Sequence, residues 1–333
     1  MRGKADGEHA LPESGQLVPE SEDHPAAAGT GFRARLAAGQ FAVTAEIGPP
    51  RGASLLPVTQ KAAGLRGWVD AVNITDNQSA TVRLSSLAGS VGAARGGVEP
   101  IMQLTCRDRN RIALQSELLA AAALGVPNVL IMTGDHPRHG DHADAAAVFD
   151  LDSTQLLRVA TAMRDEGRLM SGGLLTPPPS WLLGAVESPP ADPTDQTLAD
   201  TATRRVAAKV EAGAQFLQTQ FVFDVPAFSG WVRQLADLGL TERCHILAGV
   251  GPVRSARALA HLARIPGVRI PDAVSKRLTA AGPEHIRAAG EELCSEIIAA
   301  LSSVPGVAGV HVMAIGAEHV IPPILARAGL RPR

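Results

Sequence analysis

Residues 110–135, NRIALQSELLAAAALGVPNVLIMTGD, hold the pattern that decides the fold. The first part, residues 110–124, is rich in Ala and Leu and stops at Gly125, a residue type that commonly ends helices. The run at 128–133 is apolar almost throughout, which is typical of a strand in a sheet that is buried on both faces. A helix that leads directly into such a strand predicts an α/β fold with a parallel sheet.

The same alternation of apolar strand, polar loop and helix runs from residue 40 to the end of the chain. Further helices are predicted at 198–212 and 284–301, and a long loop with six prolines at 176–194. Eight such units favour a single closed (β/α)8 TIM barrel over a doubly wound sheet, since no Gly-x-Gly-x-x-Gly pattern of a dinucleotide site opens any helix. The predicted strands are residues 41–47, 71–75, 100–105, 128–133, 169–174, 215–220, 245–249 and 309–313.

The composition fits one large globular unit and limits the classes of partner. The chain has 333 residues, 45% of them hydrophobic, and its 31 basic and 33 acidic residues leave no basic field for nucleic acid. Its three cysteines form no C-x-x-C pair, which favours a reducing cytoplasm. No run of about 20 apolar residues is present to span a membrane. Residues 1–30 are polar and predicted to be a disordered leader, followed by the barrel at 31–333.

Two carboxylates follow predicted strands at the barrel end where TIM-barrel chemistry takes place. Glu46 ends the first strand, where a partly desolvated carboxyl group suits a general acid; the alternative is a salt bridge, with Arg51 as the candidate partner. Asp135 follows the fourth strand through Gly134, so it is expected to point into the mouth. The nearby histidines at 136, 139 and 142 match no standard zinc spacing, and no metal site is predicted.

Polar side chains without charge also occur at the strand ends. Strand alternation places Gln218 and Gln220 on one face, where they would either bind a polar heterocycle or form a buried polar layer. Thr105 would contact a ligand or cap the next helix. Lys209 is interpreted as a surface lysine of a helix unless its side chain reaches the mouth.

Taken together, these residues resemble the methylenetetrahydrofolate reductase family, of bacterial type, over roughly residues 40–330. Glu46 with the Pro-Pro-Arg at 49–51 is similar to the family's Glu-Phe-Phe-Pro-Pro-Arg, and Gly134-Asp135 to its Arg-Gly-Asp. The run at 104–106 resembles the family's His-Leu-Thr-Cys. The most specific block, at 212–224, resembles Asp-Ala-Gly-Ala followed by Thr-Gln-Phe-Phe-Phe-Asp. Two later runs, 249–253 and 267–271, resemble Gly-Ile-Leu-Pro-Val and Asn-Val-Arg-Ile-Pro in the family's order.

This resemblance implies a flavin-dependent reduction of 5,10-methylenetetrahydrofolate to 5-methyltetrahydrofolate. The flavin would be FAD or FMN, and the electrons would come from NADH, NADPH or a protein donor. Glu46 would be the acid, and the substrate contacts would be Gln220, Asp135 and Ala256. Of these, Gln220 would bind folate, and Asp135 would contact the pterin and influence the flavin. A homo-oligomer or an electron-donor subunit is left open. The implied cofactor contacts are Thr75, Gln103, Thr105, Thr133, Thr176 and Lys209.

Several positions depart from the family pattern, mostly in the half of the site that holds flavin. Lys209 matches the family's flavin-phosphate lysine, but other expected contacts are replaced. Two alternatives therefore stand beside the reductase: a folate-binding, methyltransferase-like barrel without flavin, and a subunit that depends on a partner. The departures are Gln103 for a His, Thr133 for an Arg, Ala202 for an Asp, Thr176 near an expected Tyr, and Ala256 for a Phe that helps to hold nicotinamide and folate.

Overall fold

The computed structural model describes residues 31–190, 192 and 194–332, so the predicted leader at 1–30 lies outside the described residues. Eight parallel strands close into a barrel in sequence order, and the eighth strand pairs with the first. This confirms the predicted (β/α)8 architecture. The strands are β1 Ala42–Ile47, β2 Ala71–Ile74, β3 Glu99–Thr105, β4 Asn128–Met132, β5 Leu182–Glu187, β6 Phe216–Phe221, β7 His245–Val250 and β8 Val307–Val312.

Helices connect the strands and surround the barrel. One helix precedes β1, single helices follow each strand from β1 to β5, and the connections after β6 and β7 contain two and three helices. Three short 3-10 turns, Gln78–Ala80, Pro137–His139 and Glu318–Val320, lie in the loops. The helices are α1 Phe32–Ala37, α2 Leu56–Leu65, α3 Ser86–Arg95, α4 Arg111–Ala123, α5 Ser153–Asp165, α6 Gln196–Glu211, α7 Val225–Asp237, α8 Leu240–Arg243, α9 Ala256–Leu262, α10 Asp272–Ala280, α11 Gly282–Leu301 and α12 Ile321–Arg327.

The fifth strand is the one that sequence reasoning misplaced. Residues 169–174 form a tight turn in which the Leu169 amide donates to the Gly173 carbonyl oxygen at 2.8 Å. The backbones of Arg168 and Leu174 pair across this turn as an isolated antiparallel β-bridge. The real strand, β5, lies inside the segment that was predicted to be an irregular proline-rich loop. Its prolines flank the strand rather than interrupt it, so every strand amide stays available for the sheet.

The barrel has an apolar core on each side of its wall. The larger core lies between strands and helices, as expected when both faces of a parallel sheet are covered. The smaller core fills the lumen at the end where the strands begin. There α1 contributes Phe32 and Leu36, and the Phe32 ring packs edge-on against Phe216 at 5.2 Å between ring centroids. Helix α1 therefore closes this end, and the opposite end forms the mouth.

Two glycines within helices allow a matched test of how α11 packs on the barrel. A Cβ at Gly290 of α11 would lie 1.9 Å from the Val253 carbonyl oxygen, whereas nothing lies within 4 Å of one at Gly230 of α7. We expect Gly290→Ala to lower the free energy of unfolding by about 1–3 kcal/mol, because backbone must move apart. Gly230→Ala should raise it by about 0.5–1 kcal/mol through helix propensity.

Urea denaturation of both variants beside the parent chain checks this pair. Equal effects of the two substitutions would contradict the close approach of α11 to Val253, since helix propensity alone acts alike on both sites.

Candidate active site

A large cavity of about 1110 Å³ opens at the carboxyl ends of the strands. Such a volume accommodates more than one small molecule. Every strand except β7 contributes a residue at or next to its end, and the loops after β4 and β7 form much of the rim. The predicted site residues that line this cavity are Glu46, Thr75, Gln103, Thr105, Thr133, Asp135, Lys209 and Gln220.

Two predicted contacts lie away from the cavity. Thr176 is exposed on the segment that precedes β5, at the end of the barrel where the strands begin. The family resemblance placed Thr176 near an expected Tyr, but the fifth strand is Leu182–Glu187, so Thr176 precedes this strand instead of following it. Ala256 is the first residue of α9 and points to solvent, whereas Ala258, two residues later, lines the cavity. Neither Thr176 nor Ala256 is placed to touch a ligand in the mouth.

The carboxyl group of Glu46 is buried and lies in the depth of the cavity. Gln103 Nε2 donates to Glu46 Oε2 at 3.0 Å, and His311 Nε2 lies 3.6 Å from the same oxygen. The predicted alternative, an ion pair with Arg51, is wrong. Arg51 is exposed and pairs instead with Asp141 at 3.2 Å. Glu46 is thus held by two polar lumen residues, Gln103 and His311, and no Lys or Arg of the described chain forms an ion pair with it.

Gln218 and Gln220 occupy different levels of the lumen. Gln218 is buried and exchanges two hydrogen bonds with Asn73, at 2.6 and 3.1 Å. The pairing of β6 with β7 shifts register between Gln218 and Phe221, so Gln220 lies higher, on the cavity wall. Gln218 belongs to a buried polar layer, as one of the two interpretations predicted, whereas the binding of a ligand by Gln220 stays a prediction.

A buried carboxylate that sequence reasoning missed organises one wall of the mouth. The Asp76 side chain has no exposed surface and accepts from the amide and the hydroxyl of Thr105, at 2.9 and 2.8 Å. Arg109 adds two hydrogen bonds at 2.7 and 3.2 Å. Thr105 therefore does not cap the next helix; Asn110 does, by accepting from the amides of Ile112 and Ala113. The only sequence signal for Asp76 was its place just after β2.

Asp135 lies on the exposed part of the cavity wall, and the charged side chain near it is Arg107. Arg107 is buried, lines the same cavity and makes two hydrogen bonds to Asp108, at 2.6 and 2.7 Å. Burial opposes the charge of Arg107, but the hydrogen bonds to Asp108 and the charges of Asp108, Asp76 and Asp135 outweigh it and raise the pKa of Arg107. A permanent cation therefore stands near Asp135.

Lys209 reaches the mouth from α6. Its Nζ donates to the Val186 carbonyl oxygen at 2.6 Å and to Glu187 Oε2 at 2.7 Å. Arg205 Nε contacts the other oxygen of Glu187 at 3.0 Å. Two cations share one carboxylate at the end of β5, which leaves an excess positive charge at this side of the cavity.

Neither a nucleophilic thiol nor a metal centre emerges from the described residues. Burial, the largest cause, raises the pKa of Cys106 to about 12, so this thiol stays protonated and acts as a small packed residue. In the part of the chain that the structure describes, no three His, Cys, Asp or Glu side chains converge as a metal site would require. No helix within that part is both long and apolar enough to cross a bilayer.

The fold and the mouth define a (β/α)8 barrel protein with a deep site for small molecules, lined by both polar and apolar side chains. More narrowly, the chain belongs to the methylenetetrahydrofolate reductase family, whose sequence model matches residues 31–329.

Named relatives agree with this family. The chain is 25% identical over 235 residues to methylenetetrahydrofolate reductase 1 of Schizosaccharomyces pombe, covering 70% of this chain and 36% of the relative. It is 24% identical over 295 residues to a probable methylenetetrahydrofolate reductase (NADPH) of Caenorhabditis elegans, covering 86% and 42%. The chain therefore spans less than half the length of these curated relatives.

A solved structure shares the fold. It is an uncharacterized protein from Clostridium thermocellum that binds two copies of 5-methyl-5,6,7,8-tetrahydrofolic acid, with a TM-score of 0.62 and 15% identity. The match covers 89% of this chain and 97% of that protein.

Proposed function

We propose that the protein reduces 5,10-methylenetetrahydrofolate to 5-methyltetrahydrofolate. The observation that carries the proposal is the placement of Glu46, Asp135 and Gln220 around one cavity in a member of this family. Glu46 supplies a carboxyl group in the depth of the cavity. Asp135 supplies a hydrogen-bond acceptor on the cavity wall, and Gln220 supplies an amide group on the wall. This set matches what a reduced pterin with N–H donors, a carbonyl oxygen and a basic nitrogen requires.

Glu46 is the proposed acid. Its proton moves to a folate nitrogen of the methylene bridge, the bond between that nitrogen and the bridging carbon breaks, and the carbon becomes an electrophile that accepts a hydride. Asp135 accepts from the N–H groups of the pterin and fixes its orientation. Gln220 holds the substrate through its amide, whose oxygen contacts only the neighbouring Phe221 amide among the described residues, at 3.3 Å.

A flavin, FAD or FMN, would supply the hydride when bound, and the residues of the mouth fit it in part. The cavity is large enough for a flavin ring beside a pterin. Thr75 Oγ1 is buried on its wall without a hydrogen-bond partner within the described chain, so a polar ligand would satisfy it. Thr105, Gln103, Thr133 and Lys209 are the other proposed contacts. NADH or NADPH would deliver electrons through the same mouth.

One observation favours a second candidate, a folate-binding barrel without flavin. Four of the proposed flavin contacts already have protein partners: Gln103 with Glu46, Lys209 with Glu187, the hydroxyl of Thr105 with Asp76 at 2.8 Å, and the hydroxyl of Thr133 with Ser153 at 3.1 Å. A flavin would have to exchange these hydrogen bonds for its own, which reduces the net gain from each contact.

Titration with FAD and with FMN separates the two candidates. We expect a shift of the flavin absorbance bands on binding and about tenfold or more weaker affinity in Lys209→Gln, because a hydrogen bond to a charged group contributes about 1.5–3 kcal/mol. Lys276→Gln, at an exposed position of α10, is the matched control and should bind like the parent chain. Absence of a spectral shift at saturating flavin would reject the flavin reductase and leave the folate-only barrel.

A further inference from the structure

A row of buried polar side chains crosses the lumen at the floor of the cavity and ends at Glu46. Asn73 Nδ2 donates to Gln218 Oε1 at 2.6 Å, and Gln218 Nε2 donates to Thr44 Oγ1 at 3.2 Å. Thr44 Oγ1 lies 2.9 Å from His311 Nδ1, and His311 Nε2 lies 3.6 Å from Glu46 Oε2. Asn73, Gln218, Thr44 and His311 are each buried, and the residues come from β1, β2, β6 and β8.

The direction of hydrogen bonding along this row follows from counting donors. Gln218 Nε2 has two hydrogens, and it gives one to Asn73 Oδ1 at 3.1 Å and the other to Thr44 Oγ1. The Thr44 hydroxyl must then donate its own hydrogen. The His311 Nδ1 acceptor at 2.9 Å is much better placed than the Val310 carbonyl oxygen at 3.5 Å. His311 Nδ1 therefore accepts, and the ring proton lies on Nε2, facing Glu46.

The reverse direction is unfavourable at the other end of the row. If both amides were turned over, Thr44 would donate to Gln218 and His311 Nδ1 would carry the proton. The lone pair of His311 Nε2 would then face Glu46 Oε2, an oxygen that already accepts a hydrogen bond from Gln103 Nε2 at 3.0 Å. Two acceptors that face each other in a buried site lack the hydrogen bond that offsets their desolvation. The two ends of the row thus favour the same tautomer.

We propose that His311 is a positioning residue, kept by Thr44 as the Nε2–H tautomer so that it donates to Glu46 Oε2. The proposal rests on the proposed function of Glu46 as an acid. Gln103 and His311 then both donate to Oε2, whereas no described residue makes a hydrogen bond to Oε1. The proton that Glu46 delivers lies on Oε1, because two donors occupy the surroundings of Oε2. The separation of 3.6 Å is expected to shorten in the complex, as catalytic hydrogen bonds often do.

The tautomer can be measured on the resting protein without any assay of activity. In a long-range proton–nitrogen NMR spectrum of the nitrogen-labelled chain, the two ring nitrogens of a neutral histidine differ strongly in shift according to which carries hydrogen. The chain has 10 histidines, and the His311 signal is assigned by its loss in His311→Gln. We expect the Nε2–H pattern for His311. An Nδ1–H or a doubly protonated pattern would overturn the proposal.

Thr44 provides a matched pair of variants for the same spectrum. Thr44→Ser keeps the hydroxyl and should keep the Nε2–H tautomer. Thr44→Val keeps the shape but cannot donate to Nδ1, so the Nδ1–H form should appear in the His311 signal. An unchanged pattern in Thr44→Val would show that Thr44 does not set the tautomer, against the proposal.

Two substitutions of His311 connect the tautomer to the reaction. The amide nitrogen of Gln can take the place of Nε2 and still donate to Glu46, whereas the shorter Asn reaches only the level of Nδ1. We expect methylenetetrahydrofolate reduction to fall about a hundredfold in His311→Asn and much less in His311→Gln, with folate affinity kept in both. Equal loss in both variants would indicate a merely structural histidine. A parent chain with the Nε2–H tautomer but no folate reduction would reject the proposed function instead.

Discussion

Glu46→Gln should slow the reduction of methylenetetrahydrofolate by about 10²–10⁴-fold, the usual effect of losing a general acid. Gln keeps the shape of the side chain and an oxygen that Gln103 can donate to, but it has no proton to deliver. Electron transfer from NAD(P)H to a bound flavin needs no proton from Glu46 and should keep its rate. Rapid mixing of the two half-reactions, each followed by flavin absorbance, measures both rates separately.

The control for Glu46→Gln is Glu166→Gln, at the exposed position directly after α5, where both half-reactions should be unchanged. A purely structural Glu46 would give a different result from the one expected: stability would fall and both half-reactions would slow together. Normal folate turnover in Glu46→Gln would remove this residue from the mechanism.

Asp76→Asn should lower the free energy of unfolding by about 3 kcal/mol, the lower part of the range for breaking a buried ion pair. The Asp76 side chain is fully buried, and its two oxygens serve the Arg109 guanidinium together with the amide and hydroxyl of Thr105. The amide of Asn leaves the Arg109 charge unpaired and turns a donor toward other donors. Urea denaturation measures the loss.

Glu211→Gln is the matched control for Asp76→Asn. Glu211 pairs with Arg243 at 2.7 Å, but both side chains are more than half exposed, so this pair should contribute less than about 1 kcal/mol. A loss in Asp76→Asn as small as in Glu211→Gln would show that water reaches the Asp76 cluster and replaces its lost contacts.

The fold was largely predictable because its signal is local. Runs such as 128–133 are too apolar to leave any face exposed, and the structure places β4 there. The prediction of the fifth strand was wrong for a local reason as well. The apolar residues at 169–174 surround two glycines that allow a tight turn, while β5 is framed by prolines that resemble a loop in the sequence.

The candidate site was predictable only where a residue's position along a strand decides its direction. Glu46 and Asp135 follow from being at the carboxyl ends of β1 and β4. Asp76 and His311 did not stand out, because their importance comes from partners far away in the sequence. Asp76 meets Arg109, 33 residues later, and His311 meets Thr44, 267 residues earlier. The spacing of residues along the sequence does not predict contacts between residues so far apart in the chain.

Closure of one barrel end by α1 leaves a single route for molecules that enter and leave the lumen. Phe32 and Leu36 fill the lumen where the strands begin, so every ligand must use the mouth. A molecule bound deep against Gln103 and a second one at the rim, near His139 and Ile315, have to share this one entrance. A rim ligand that covers the mouth would therefore slow the exchange of the deep one, even when the two molecules share no contact.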